Sequence, residues 1–485
     1  MIDRQEVMDF SREFGLAPNV IEKDYVLGWV LAGIAAHPEI GQSWVFKGGT
    51  CLKKCYFETY RFSEDLDFTL ANPDHLAEPF LLATFNQISE WIYDRAGIEV
   101  PAETIRFEVY TNPRSSLSAE GRIGYRGPMQ RRGDAPRIKL DLTNDELLVL
   151  EPATRDVHHP YSDRPTDGIH VRCYSFEEVF AEKIRALAER ERPRDLYDVV
   201  HLYRHDELRP DRSLVFGTLE KKCAFKGIAV PTMQTVDNPP ARAELEAEWG
   251  NMLAHQLPVL PAFEQFWQEL PGVFDWLHGV AEKIAKPSLQ VGRRGAVAVD
   301  ETWRPPSMSH AWHAAIPFEI IRFAAANRLC VNLEYRDENG RVSKRLIEPY
   351  SLRRTQEGNL LLYAVKHETG ESRSYRVDRI QGAEATQVSF TPRYLIELTP
   401  AGVLSAPSVA TRSAGSALPR LGRSAATRDR SMFSPRYTGP TYVYECSYCG
   451  KKFSRQKMDS TMRPHKDKNG YPCPGRTGYL VDTKF

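Results

Sequence analysis

Asp65 and Asp67 stand on either side of Leu66 in residues 44–70, WVFKGGTCLKKCYFETYRFSEDLDFTL. Residues 62–70 read as a strand, where side chains alternate between faces. Both carboxylates therefore leave one face, while Leu66 and Phe68 leave the other, towards a core. Two carboxylates side by side repel each other, and a divalent cation between them relieves the repulsion. Mg²⁺ suits such a pair, because it takes carboxylate oxygens and keeps phosphate oxygens and water as its other ligands. Upstream, Gly48-Gly49-Thr50 reads as a turn that opens a helix, with Leu52, Cys55 and Tyr56 at helical spacing. Free backbone N–H groups at such a turn can face a triphosphate, and Lys47, Lys53 and Arg61 supply cations nearby. Asp-x-Asp alone is as compatible with an exposed acidic strand. The Gly-Gly-Thr turn, followed by Ser63-Glu-Asp-Leu-Asp67, turns the reading to chemistry.

A third carboxylate comes from residues 136–142, PRIKLDL, where Ile138, Leu140 and Leu142 point inward and Lys139 and Asp141 outward. If this strand lies beside the first, Asp141 joins the pair and can act as base near the attacking group; otherwise it is an inert strand-face residue. Residues 175–190, SFEEVFAEKIRALAER, form a helix with Ser175 and Glu178 in a capping box. Its apolar stripe is Phe176, Val179, Phe180, Ile184 and Leu187. Lys183 falls inside that stripe, so its ammonium must snorkel to water or meet an anion such as a nucleotide phosphate. Asp195 and Asp198 lie in the next helix, which starts at Pro193. Asp195 can complement the helix dipole, and Asp198, opposite Leu196, Val199 and Val200, is expected to face solvent or a cleft. Either can orient Lys183 or an acceptor.

Near the C-terminus, Cys446, Cys449, His465 and Cys473 offer four ligands in a short module, a set that suits tetrahedral Zn²⁺. The segment is too short for its own core, so metal would supply its folding energy. Lys451, Lys452, Arg455 and Lys457 mix with Tyr444, Tyr448 and Phe453, which fits nucleic-acid binding by phosphate contact and base stacking or a protein-binding ribbon. The other cysteines, Cys51, Cys55, Cys173, Cys223 and Cys330, are scattered among apolar neighbours and read as reduced core residues.

The elements that position these groups are distributed over 485 residues, enough for several domains. Residues 1–282 alternate helix and strand signals, and 283–307 read as a linker rich in Pro, Gly and mixed charge. Residues 308–398 open with an apolar helix and continue as short strands, with Asp337-Glu-Asn-Gly340 as a hairpin turn. Residues 399–440 lack large apolar side chains and read as a disordered linker; 441–485 form the Cys/His module. Lys plus Arg equals Asp plus Glu at 64 each, yet basic residues dominate after residue 401, which suits a polyanionic partner. No apolar run is long enough for a transmembrane helix, and the acidic, amphipathic N-terminus lacks a secretory layout. The expectation is a cytoplasmic protein with no membrane partner.

Together, FKGGT at 46–50, RFSEDLDF at 61–68, IKLDL at 138–142 and FEEVFAEKIRALAERERPRDLYDVV at 176–200 resemble the AbiEii family, the toxin half of type IV toxin–antitoxin and abortive-infection systems. The likeness runs over roughly residues 15–275. It extends to ARAELEAEWGNMLAHQLPVLPAFEQFWQEL, which is similar to that family's C-terminal helices. The resemblance implies an α/β (α+β) polymerase-beta-like nucleotidyltransferase core with a helical C-terminal part. It implies Gly48, Gly49 and Thr50 at the NTP phosphates, Asp65 and Asp67 on metal, and Lys183 on the nucleotide; with the strand reading above, the expected site has Asp65, Asp67 and Asp141 on two Mg²⁺ ions and Ser63 beside the nucleotide. A catalytic carboxylate is implied in RDLYD, at Asp195 or Asp198. Some members add nucleotides to tRNA 3′ ends, and the usual partner is an antitoxin protein. NLEYRDENGRVSKRLIEPYSL and ESRSYRVDRI resemble a WYL domain, a small β-rich ligand-sensing module; its signature triplet stands here as Leu360-Leu361-Leu362. Arg376 and Arg379 would then contact phosphates, or else bridge strand-face acids. The expected activity is Mg²⁺-dependent transfer of a nucleotide from NTP to RNA by a toxin of a toxin–antitoxin or phage-defence system. The alternatives are a nucleic-acid-binding regulator with an inactive catalytic domain, and nucleotidylation of a protein.

Overall fold

A computed structural model describes residues 1–112, 114–130, 133, 135–205, 210–291, 299–300, 303 and 318–398, then 441–446, 449, 451–455, 460–461, 465–466, 472–473 and 477–484. The expected linker at 399–440 lies outside the described residues. The chain divides into two compact units, residues 1–410 and 411–485. No described helix is long and apolar enough to cross a membrane.

The first unit is mixed α/β. Its larger sheet takes strands β1 (Trp44–Lys47), β2 (Asp65–Leu70), β3 (Arg106–Thr111), β4 (Leu117–Gly124), β5 (Arg137–Thr143), β6 (Ala153–Asp156) and β7 (His170–Cys173), in the order β3-β4-β5-β2-β1-β7-β6. β2 pairs antiparallel to β1 and parallel to β5. Burial alternates along β5, with Ile138, Leu140 and Leu142 inside and Lys139 and Asp141 partly exposed. That period of two leaves one face of the sheet for the core and the other for charge.

The preceding helices are α1 (Arg4–Phe14) and α2 (Pro18–Ala36). α2 is apolar nearly all round and is buried accordingly. Then come α3 (Gly48–Cys51), α4 (Glu78–Ala96), α5 (Phe176–Arg190), α6 (Pro193–Arg204) and α7 (Arg212–Lys226). α8 (Met233–Val236), α9 (Pro239–Leu253), α10 (Phe263–Trp267) and α11 (Leu270–Leu277) complete the helical part. The stripe expected on α5 is buried in full. Ser175 caps α5 by accepting from the Glu178 N–H, but the capping box closes only from that side. The Glu178 carboxylate instead accepts from Val149 and Leu150 N–H groups and pairs with Lys222 at 2.7 Å. A buried ammonium out-competes one backbone donor for a buried carboxylate.

A second sheet follows α12 (Phe318–Ala326): β8 (Leu329–Arg336), β9 (Val342–Arg354), β10 (Leu360–Lys366), β11 (Ser372–Arg376) and β12 (Ile380–Ser389), ordered β11-β10-β9-β8-β12. The expected hairpin joins β8 to β9: Gly340 has φ +79°, and the Asp337 carboxylate accepts from the Asn339 and Arg341 N–H groups. Of the stretch expected as a linker, Leu289 is buried with Cys330, Tyr350, Val365 and Phe390. α12 faces the first sheet's domain through polar contacts. Arg322 pairs with Glu58 at 3.1 Å and with Glu319 at 2.6 Å, and the Tyr197 hydroxyl donates to Asn327 at 2.9 Å.

The second unit holds β13 (Thr441–Cys446), β14 (Lys452–Arg455) and β17 (Gly478–Lys484) in one sheet, ordered β14-β13-β17. β15 (His465–Lys466) and β16 (Pro472–Cys473) form a short ladder in which His465 is opposite Cys473.

Candidate active site

The parallel pairing of β2 with β5 sets Asp67 directly opposite Asp141, and Asp65 opposite Lys139. Side chains opposite each other in register share a face, so three carboxylates gather on one face of the sheet. β4 adds Glu120, which is opposite Asp141. Lys139 lies between the last two, with its ammonium 3.1 Å from Asp141 and 3.2 Å from Glu120. Among the described residues Asp67 has no such cation in contact: burial pushes its carboxyl up to about 6, Lys47 opposes, and Asp141 and Asp65 push it further up. Asp65 is also raised, by burial first and by Asp141 among its neighbours.

The Gly48–Thr50 turn stands against this cluster. Gly48 has φ +81°, and a Cβ built on it would meet Asp67 Oδ2 at 2.1 Å. Only glycine satisfies both conditions. A Cβ on Gly49 would meet Arg61 Nη2 at 2.6 Å and Ser63 Oγ at 3.0 Å, so Ser63 also borders the turn. Thr50 donates its hydroxyl to the Asp65 carbonyl and ties the turn to the strand. After α3 the chain widens into a π-helical turn, Leu52–Tyr56, a local geometry often found at functional sites. Of the three cations expected near a triphosphate, Lys47 stays by the carboxylates. Lys53 turns away to the Glu58 carbonyl and the Phe62 ring, and Arg61 is engaged elsewhere.

Lys183 is buried and meets anions, but they are the protein's own: Asp198 Oδ2 at 2.8 Å and Asp195 Oδ1 at 3.3 Å. Burial works to lower its pKa; Asp198 and Asp195 outweigh this and raise it. Asp198 does not face solvent or a cleft. It is fully buried, gripped by Arg61 through two 2.7 Å bonds and by the Tyr60 hydroxyl. Burial would raise Asp198, yet Arg61 and Lys183 hold it well below the usual carboxylate range. Helical periodicity hid this, because Asp198 projects between α6 and the 58–62 segment, which the stripe of α6 alone does not include. Asp195 is likewise buried and takes Arg190 at 2.9 Å. Lys183 also acts on Asp67, whose pKa it lowers, so it connects this network to the sheet face.

Three contributors escaped the sequence reading: Glu120, Tyr60 and Arg190. The alternation of β4 was the one signal for Glu120. Nothing local marks Tyr60 or Arg190, since their partners lie far along the chain or on another helix.

In the second unit the ligand atoms of Cys446, Cys449, His465 and Cys473 all lie within 4.8 Å of one another. Cys446 and Cys473 are 3.8 Å apart, and Cys449 is 3.4 Å from His465 Nε2. Tyr444 is buried, so it offers no ring for a base to stack on. Phe453 packs edge-on against His465. Tyr448, Lys457 and the Arg455 side chain lie outside the described residues. In the second sheet, Arg376 bonds Asp378 at 2.7 Å and Asn359 at 2.9 Å, and Arg379 bonds Glu338 at 3.2 Å. A groove of about 550 Å³ on that sheet is lined by Lys344, Arg345, Lys366 and Arg373 with Glu368.

Comparison with known proteins adds the following. Residues 29–269 match the family described as nucleotidyl transferase AbiEii toxin, type IV TA system, and residues 318–385 match the WYL domain. Among solved structures, the chain is similar to MenT4, nucleotidyltransferase toxin Rv2826c from Mycobacterium tuberculosis H37Rv. The identity is 17%, over 56% of this chain and 89% of that one, with a TM-score of 0.39. It is also similar to the proteasome accessory factor B/C (PafBC) of Arthrobacter aurescens, at 13% identity over 61% of this chain and 65% of that one, with a TM-score of 0.15. No curated protein matches the chain.

Proposed function

We propose a substrate and a role for a chain that carries the nucleotidyltransferase domain of the AbiEii toxin family and a WYL domain: it moves a nucleotide from an NTP onto an RNA, at a tRNA 3′ end, and is the toxin of a toxin–antitoxin or phage-defence pair. The observation that carries the reading is the register of β2 and β5, which gathers Asp65, Asp67 and Asp141 against the Gly48–Thr50 turn. The donor set fits Mg²⁺: three carboxylates on one face, with Asp67 pushed up to about 6 by burial and its acidic neighbours, a surplus that a hard cation removes. Two Mg²⁺ ions held by Asp65, Asp67 and Asp141 would activate the acceptor hydroxyl and neutralise the leaving pyrophosphate.

The chain's own residues do the rest. Gly48 and Gly49, with no side chains, let phosphates approach the backbone N–H groups, and Ser63 and Lys47 border the same space. Lys183 has three donors; Asp195 and Asp198 take two, leaving one for a phosphate oxygen as charge builds there. Asp195 and Asp198 act as positioning residues, since both are occupied by cations and buried away from any acceptor. The Cys446, Cys449, His465 and Cys473 set fits Zn²⁺ in thiolate and imidazole character, and would hold the C-terminal module in shape for RNA. The WYL groove, lined by four cations, suits an anionic trigger, and α12 reaches the 58–61 segment through Arg322 and Glu58. A cognate antitoxin protein would bind and silence the enzyme.

The test is incubation of the pure chain with labelled NTPs, Mg²⁺ and total RNA. Label on RNA that is absent with Asp65→Ala and Asp67→Ala supports the proposal. RNA binding without label would favour the regulator, and label on a protein band would favour protein nucleotidylation.

A further inference from the structure

Cys51, Cys55 and Cys173 are dispersed in the sequence but meet in space. Cys51 closes α3 directly after the Gly48–Thr50 turn, and Cys55 sits in the π-helical turn behind it. Cys173 ends β7 opposite Phe46 of β1. The three sulfur atoms lie within 4.8 Å of one another, and all three residues are 0% exposed. Two thiolates bound about 2.3 Å from one ion stand at most about 4.6 Å apart, so little movement is needed for all three to share one.

A second observation points to negative charge at this place. Arg155 stacks its guanidinium over the Tyr56 ring at 4.9 Å, and its Nη1 is buried with no hydrogen-bond partner. It acts electrostatically on Cys55 and Cys173. Arg155 as a whole is half-buried, but its buried Nη1 is left without a partner, which favours an anion beside it, and neutral thiols do not provide one.

We propose that Cys51, Cys55 and Cys173 bind one thiophilic divalent cation of the zinc class, with Arg155 as counter-charge, and so fasten the Gly48–Thr50 turn to β7. On binding, the three thiols release three protons. The resulting trithiolate–Zn²⁺ group carries one negative charge, and Arg155 balances it. A monovalent cation would leave two negative charges against one positive. Because the site is closed to solvent, its role is structural, unlike a catalytic zinc that keeps an open position. The proposal stands whether or not the nucleotide acceptor is RNA.

The decisive chain is the full-length Cys449→Ser, His465→Ala protein, in which the C-terminal ligand set is disabled and the core is untouched. After equilibration with Zn²⁺ and gel filtration, native mass spectrometry should show one Zn²⁺ per chain. With Co²⁺ instead, a thiolate-to-cobalt charge-transfer band should appear. Adding Cys173→Ala should remove both signals. The proposal is overturned if the core-intact chain carries no ion, if the ion survives Cys173→Ala, or if the mass shows a disulfide among the three cysteines. The core-intact measurement decides the question even if Cys173→Ala does not fold.

Discussion

On one face of the larger sheet, Asp65, Asp67 and Asp141 crowd together, and the cation in contact with Asp141, Lys139, is shared with Glu120. Behind α5, Asp195 and Asp198 are buried more deeply, yet each is met by cations: Lys183 and Arg190 for one, Arg61 and Lys183 for the other. Both regions are acidic, and they are finished differently. Where charge is balanced inside the protein, the carboxyl is driven below its usual range, as in Asp198. Where burial and neighbouring acids outweigh the one opposing cation, the carboxyl is driven up, as in Asp67 against Lys47. The balanced region holds a shape, and the other is the one proposed above to take a ligand.

The sharpest way to break that contrast is Asp67→Asn. Nucleotide transfer should fall by roughly 10³-fold, the scale of losing a group that stabilises transition-state charge. The ligand-free protein should be as stable as before or more so, because a raised carboxyl is replaced by a neutral amide. Parallel rate and urea-unfolding measurements check this. A large loss of stability would make Asp67 a structural residue and erase the distinction.

Asp198→Ala should do the reverse. It leaves Arg61 and Lys183 buried without their shared anion, and breaking a buried pair in this way costs about 3–5 kcal/mol. The first urea transition should move down accordingly, with activity lost through misplacement of Lys183. If stability holds and only turnover falls, Asp198 touches the reaction directly.

Titration separates the regions next. Asp67 is raised, so the folded, metal-free protein holds a proton that the unfolded chain gives up at lower pH. Its stability should therefore decline as pH rises from the ordinary aspartate range through about 6. Mn²⁺ affinity should do the opposite, rising up to about tenfold per pH unit below 6 and levelling above, because the metal displaces that proton. Asp198 is depressed, so its contribution is present above the unfolded value and is lost only in strong acid. Urea unfolding of the metal-free protein and calorimetric titration with Mn²⁺, each at several pH values, test the first pair of slopes. A flat affinity profile would remove Asp67 from the metal.

These contrasts also mark what a sequence can convey. The carboxylate face was legible because strand period, the Gly-Gly-Thr turn and the alternation of residues 136–142 are local, and pairing in register follows from one assumption about strand order. The zinc-type set was legible because its spacing is short. The lysine in the stripe of α5 demanded either a path to water or an anion such as a nucleotide phosphate, and the anions it meets are Asp195 and Asp198. Its partners come from α6, and Arg61, which grips one of them, from the 58–62 segment; helix periodicity carries no information on that packing. The Cys51, Cys55 and Cys173 group was invisible for the same reason: β7 joins β1 only through the sheet order.

The smallest effect is expected where the same ion-pair chemistry is left in water. Arg376 bonds Asp378 in two places, as Arg61 bonds Asp198, but its side chain is 35% exposed and that of Asp378 61%. Solvent screens such pairs, which are typically worth about 0–1 kcal/mol. Arg376→Ala should therefore shift the melting temperature of the full chain by little, against the large loss from Asp198→Ala. RNA or nucleotide binding should stay unchanged as well, because the guanidinium is already committed to Asp378 and Asn359. A clear fall in binding with unchanged stability would show that Arg376 leaves Asp378 for a phosphate, and would extend the class of charges held ready for a ligand into the second sheet.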